Sequence, residues 1–75
     1  MDANELFELA QRHEKGDGVD VDLKKAAELY QQASDLGHGL AAKNLGSMYE
    51  YGKYFAKDMN KAALFYQRSA DLGND

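Results

Sequence analysis

The hydroxyl and imidazole side chains come first, because they could carry chemistry. The chain has no Cys and no Thr, so Ser34, Ser47 and Ser69 are its candidate hydroxyl nucleophiles. A nucleophilic serine needs a base in reach. None of the three opens a Ser-x-x-Lys motif, and none sits within Gly-x-Ser-x-Gly. His13 and His38 are the only histidines. Two imidazoles without further ligands at metal spacing do not make a zinc site. The acidic stretch Asp17-Gly-Val-Asp20-Val-Asp22 has oxygen ligands but not the spacing of a calcium loop, which needs alternating ligands, a central Gly and a distant Glu, and copy two keeps only Asp58. Gly16-x-Gly18 lacks the Gly-Lys-Ser/Thr of a phosphate loop and follows a helical pattern, where such a loop follows a strand. No catalytic residue, metal or cofactor is therefore expected, and the chain is not expected to be an enzyme.

Charge narrows the partners. The formal net charge is −4, and Lys24-Lys25 is the only adjacent basic pair. A nucleic-acid surface needs clustered cations, so no nucleic-acid partner is expected. There is no apolar run of the roughly 18 residues that a spanning helix needs, so no membrane partner is expected either. The start, Met1-Asp2-Ala3-Asn4-Glu5, lacks the basic and apolar regions of a secretory signal. Together with the absence of cysteine, this favours a cytoplasmic location.

The elements that position these residues are set by an internal repeat. Asp22-Leu-Lys-Lys-Ala-Ala-Glu-Leu-Tyr-Gln matches Asp58-Met-Asn-Lys-Ala-Ala-Leu-Phe-Tyr-Gln at an offset of 36 residues. The same shift carries Leu9 onto Leu45, Glu14 onto Glu50, Gly16 onto Gly52, and Asp35-Leu36-Gly37 onto Asp71-Leu72-Gly73. Repeats of this length mark stacked supersecondary units.

Each copy reads as two helices. In the first, from Ala3 to Glu14, the residues Leu6, Leu9, Ala10 and His13 share one face. Asp2 with Glu5 approximates a capping box. Asp22 caps the second helix, whose buried stripe is Ala26, Tyr30, Ala33 and Leu36, and Gly37 ends it. The third helix spans about Leu40 to Tyr51, with Ala41, Leu45, Met48 and Tyr49 inward. The fourth spans about Asp58 to Leu72, with Ala62, Phe65, Tyr66, Ser69 and Leu72 inward or close to the inward face. Small residues such as Ala26, Ala41, Gly46 and Ala62 let helix axes approach closely, and Tyr and Leu side chains fill the spaces. His13 takes a core aromatic position, and His38 a junction or cap position.

The pattern Ala41-x-x-x-Leu45-Gly46-x-x-Tyr49-x-x-Gly52, then Lys57-Asp58-x-x-Lys61-Ala62, then Tyr66 and Ser69-Ala70-x-x-Gly73, resembles the Sel-one-like repeat (SLR) family. That family is related to the tetratricopeptide repeat, whose period is about 34 residues and whose unit usually ends near a proline. The offset of 36, the Gly16-x-Gly18-Val19-x-x-Asp22 loop and the lack of proline favour the SLR form. Copy one departs from the pattern at Ala10 and His13. Gly39 stands where Ala is common. Copy two has Tyr54 and Phe55 where copy one has Gly18 and Val19. If Gly18 uses a positive φ, Tyr54 is strained or its loop differs, and Phe55 takes the buried role of Val19.

The resemblance implies an all-α fold: a short right-handed α/α solenoid of two helix–loop–helix repeats. Repeat one would span about 3–38 and repeat two about 39–75 of a single domain. It further implies a scaffold or adaptor that binds a protein or peptide segment on its concave face. Carried over by position, that face is Asn4, Phe7, Gln11, Glu14 and Lys15 from copy one, and Leu40, Lys43, Ser47, Glu50 and Tyr51 from copy two. Phe7, Leu40 and Tyr51 are large apolar or aromatic groups off the expected stripe. They either meet a partner or, for Phe7 and Leu40, pack on neighbouring helices. The alternative is a self-associating unit or a fragment of a longer solenoid. Two units are fewer than the roughly three needed for a stable stack. The chain stops at the repeat boundary Gly73-Asn74-Asp75, so a homodimer through the uncovered last helix, at Leu64 or Phe65, is the second expectation.

Overall fold

The computed structural model describes residues 1–73, and Asn74 and Asp75, where the second unit was expected to end, lie outside them. Four helices follow in order: α1 (Ala3–Lys15), α2 (Leu23–Asp35), α3 (Gly39–Tyr51) and α4 (Met59–Asp71). Among the described residues there is no strand. Consecutive helices pack on one another, α1 with α2, α2 with α3, and α3 with α4.

Side-chain caps set the starts of these helices. Asp2 and Glu5 form the complete reciprocal box, with Glu5 N–H donating to Asp2 Oδ1 at 2.8 Å and Asp2 N–H to Glu5 Oε1 at 3.1 Å. Asp22 and Asp58 each accept from the backbone N–H three residues on, at 3.0 Å. These caps satisfy donors that a helix leaves without internal partners. His38 caps α3, with Nδ1 accepting from Ala41 N–H at 3.2 Å. The junction role expected of His38 is therefore a helix cap. The loops repeat as well: Asp22 N–H donates to the His13 carbonyl, and Asp58 N–H to that of Tyr49.

The core runs through Leu6, Ala10, Ala26, Tyr30, Ala33, Ala41, Leu45 and Met48. Close approach is clearest at Gly46. A Cβ there would lie 2.9 Å from the Tyr66 ring and 3.1 Å from the Ala62 carbonyl oxygen. The α3–α4 hairpin therefore closes more tightly than a side chain at that position permits.

Several expected details are corrected. Leu36 is 62% exposed, and Leu72 is also exposed. Both helices end one residue earlier, so these leucines become cap residues and leave the helical stripe. Leu9 and Phe65 do pack against the core as expected, though half-buried, and His13, Tyr49 and Tyr66 are half-buried too. The reverse holds for Phe7, which joins the core at 9% exposure. Gly18 has φ +77° and Tyr54 has φ +64°, so the second loop keeps the left-handed backbone although its residue carries a Cβ. Phe55 is half-buried against the core, as is Val19 in its loop.

Candidate functional site

The first helix of each unit supplies the face expected to meet a partner. Gln11, Glu14 and Lys15 of α1 line one hollow of about 240 Å³ together with Asn44 and Ser47 of α3. The two units thus contribute to a common polar surface. Asn44 belongs to it although the positional transfer left it out. Leu40 and Lys43 are exposed and Tyr51 is 72% exposed, but none of them lines this hollow. Asn4 is exposed at the other end of α1. Its Nδ2 approaches Glu8 at 3.4 Å, and its Oδ1 lies 3.5 Å from His38 Nε2.

Phe7 belongs elsewhere. Its ring stacks on His38 at 4.4 Å between centroids, tilted by 21°, and meets Tyr30 at 5.8 Å. It fills the joint between the two units. Of the two readings open for Phe7, its burial fits packing on neighbouring helices and goes against its place among the partner-face residues.

Glu14 and Glu50 do structural work on this face. Tyr30 Oη donates to Glu14 Oε1 at 2.6 Å, and Tyr66 Oη donates to Glu50 Oε1 at 2.6 Å. The second oxygen of Glu14 accepts from Lys53 Nζ at 3.2 Å. Burial of the hydroxyl and its bond to Glu50 push the Tyr66 pKa up to about 12. The deeper Tyr30 is raised further by burial and by Glu14, against a small opposing effect of Asn44. Both hydroxyls are held neutral as donors. The sequence carried a signal for this pairing, since each unit keeps a Glu and a Tyr sixteen positions apart.

A second feature escaped sequence reasoning. Phe55 stacks on Tyr49 at 4.1 Å and 10°, and Tyr49 on Phe65 at 5.7 Å and 5°. Tyr54 meets Phe55 edge-on at 4.9 Å. Four aromatic rings from a loop, α3 and α4 form one array, and no local periodicity could have joined them.

Among the described residues, no three His, Asp or Glu side chains gather as a metal site. Among the same residues, no helix is long and apolar enough to cross a membrane.

Two helical hairpins related by a 36-residue repeat and packed in series define a helical-repeat scaffold. The chain belongs to the Sel1 repeat family, whose model matches residues 6–38 and 39–74. It is similar to a Sel1 repeat protein from Oxalobacter formigenes, with 29% identity and a TM-score of 0.92. It is also similar to a protective antigen of uropathogenic Escherichia coli strains that displays an SLR fold, with 33% identity and a TM-score of 0.91. Each match covers 97% of this chain, but only 30% and 16% of those longer chains. The fold is therefore an α/α solenoid of a family whose helical repeats typically serve protein–protein interaction.

Proposed function

We propose that this chain is an adaptor module that binds a partner segment across the first-helix face of its two units. The observation that carries this reading is the hollow shared by Gln11, Glu14, Lys15, Asn44 and Ser47. Its walls come from both units, so a segment lying there would be read by both. Gln11, Asn44 and Ser47 offer donors and acceptors, and Lys15 a cation. Leu40 and Tyr51 supply apolar surface on the same helix as Ser47. Glu14 and Glu50 serve this face by fixing the α1–α2 and α3–α4 hairpins through Tyr30 and Tyr66.

The test is affinity capture from the source lysate with the wild-type chain and with Ser47→Arg and Tyr51→Ala. Proteins held by the wild type and lost by both variants support the face. An identical captured set with all three baits would overturn it.

A specific observation also favours self-association as a second reading. Ala27 and Ser34 of α2 are buried, whereas their counterparts Ala63 and Ala70 of α4 are exposed beside Leu64, itself 70% exposed. The face that is covered on α2 is bare on α4. Sedimentation over a range of concentrations tests this. A dimer weakened by Leu64→Lys supports it, and a monomer at every concentration excludes it.

A further inference from the structure

The aromatic array lies in a groove that the first-helix reading does not use. One hollow of about 490 Å³ is bounded by Lys24, Gln31, Tyr54 and Phe55, and another of about 440 Å³ by Lys61, Leu64, Phe65 and Arg68. Both are lined by Gln31 and Tyr49, so they meet at that pair. Neither shares a lining residue with the hollow between α1 and α3.

The two units serve as each other's control. Copy one folds with His13, Gly18, Val19, Leu29 and Gln32 at the positions where copy two has Tyr49, Tyr54, Phe55, Phe65 and Arg68. The repeat fold thus needs neither the stacked rings nor the arginine. Tyr54 is the strongest case, because it holds a left-handed backbone that Gly18 occupies freely. A large side chain is kept at the rim of the groove in spite of the backbone it must adopt.

Charge indicates the occupant. The whole chain carries −4, yet this groove presents Lys24, Lys61 and Arg68 against a single lining acid, Glu28. Two of the cations are held over rings: Lys61 Nζ lies 5.5 Å from the Tyr49 centroid and Arg68 5.6 Å from that of Phe65. Arg68 also reaches Ser34 Oγ at 3.2 Å and Asp35 Oδ1 at 3.4 Å. That ion pair is exposed and therefore weak, so it yields to a better-placed carboxylate.

We propose that this groove between α2 and α4, floored by Tyr49, is a second docking site for an acidic peptide segment carrying an aromatic or large aliphatic anchor. The anchor packs on Tyr54 and Phe55 in the first hollow, and carboxylates meet Lys61 and Arg68 in the second. Gln31, at their meeting point, already donates Nε2–H to Asp35 Oδ1 at 2.9 Å, and its Oε1 can accept from a peptide N–H.

The experiment selects a random peptide library displayed on phage against the intact chain and measures the enriched peptides by titration. The variants are Tyr54→Gly and Arg68→Gln, each of which installs the residue that copy one already accommodates, and Ser47→Arg on the other face. Enrichment of Asp and Glu beside Trp, Phe or Leu is expected. Affinity should fall about tenfold in each groove variant, should weaken with added salt, and should be unchanged in Ser47→Arg. The proposal is overturned if no peptide is enriched or if the enriched peptides are neutral or basic. It is equally overturned if only Ser47→Arg affects binding, or if Tyr54→Gly dissolves a dimer, since a second copy would then fill the groove.

Discussion

Tyr30 Oη donates to Glu14 Oε1 over 2.6 Å, joining the middle of α2 to the last turn of α1. The Tyr30 side chain is fully buried, while Tyr66, which makes the same bond to Glu50, is half-buried. Removing the acceptor therefore has unequal effects. Glu14→Ala strands a buried donor and is expected to cost about 1–3 kcal/mol. Glu50→Ala exposes its tyrosine to water and should cost less. Urea denaturation of both variants measures the difference, and equal losses would refute it.

Alkaline pH tests the same bonds. The folded Tyr66 titrates at about 12, above the ordinary 10.0, and Tyr30 is displaced in the same direction. Between those values the folded state holds protons that the unfolded chain has released, so stability falls as pH rises. This contribution is intact below pH 10 and disappears as pH climbs towards and beyond 12. The double variant Tyr30→Phe/Tyr66→Phe should lose less stability over that interval than the wild type, as read from urea midpoints at each pH.

Gly46→Ala should destabilise the chain by about 1–3 kcal/mol. The added methyl meets the Tyr66 ring and the Ala62 carbonyl, and the backbone partner cannot turn aside. Ala10, the matching position in copy one, already carries that methyl in a fully buried place. Thermal melting of Gly46→Ala, with a loss below about 0.5 kcal/mol, would show that α3 and α4 can separate at little cost.

Tyr54→Gly is expected to change stability by between a loss of about 0.5 and a gain of about 1.5 kcal/mol. Relief of the left-handed backbone is worth about 1–2 kcal/mol, and the edge-on contact with Phe55 that is lost is worth about 0.5–1.5 kcal/mol. A loss above 1 kcal/mol in chemical denaturation would mean that the ring matters more to folding than its backbone strain does.

The repeat, the caps and the small residues at close approaches were legible because they are local in sequence. Asp22 and Asp58 announce helix starts wherever the chain later packs. The strain at Tyr54 was legible because copy one supplied a glycine for comparison. Phe7 could be read either as packed or as displayed, and its sequence position alone did not decide, since its neighbours Tyr30 and His38 come alongside only when α2 and α3 dock. Leu36 and Leu72 continue the apolar period, and their N–H groups still donate to the Gln32 and Arg68 carbonyls, but their backbones leave the helical conformation as C-caps and both side chains end exposed. The partner face was only partly legible. Of the residues expected there, Gln11, Glu14, Lys15 and Ser47 line one hollow while Asn4, Lys43 and Glu50 do not, and the geometry that turns Glu14 into an internal acceptor depends on α2.

The ion pairs Lys53–Glu14 and Arg68–Asp35 both run from one unit to the other. Within each hairpin the matching tie is a tyrosine–glutamate hydrogen bond backed by packed side chains. Dissolved ions screen the first kind of tie far more than the second. Raising ionic strength should therefore loosen only the exposed edges of the joint, because Phe7 stacked on His38 and the core shared by both hairpins hold its centre by contacts that dissolved ions do not reach.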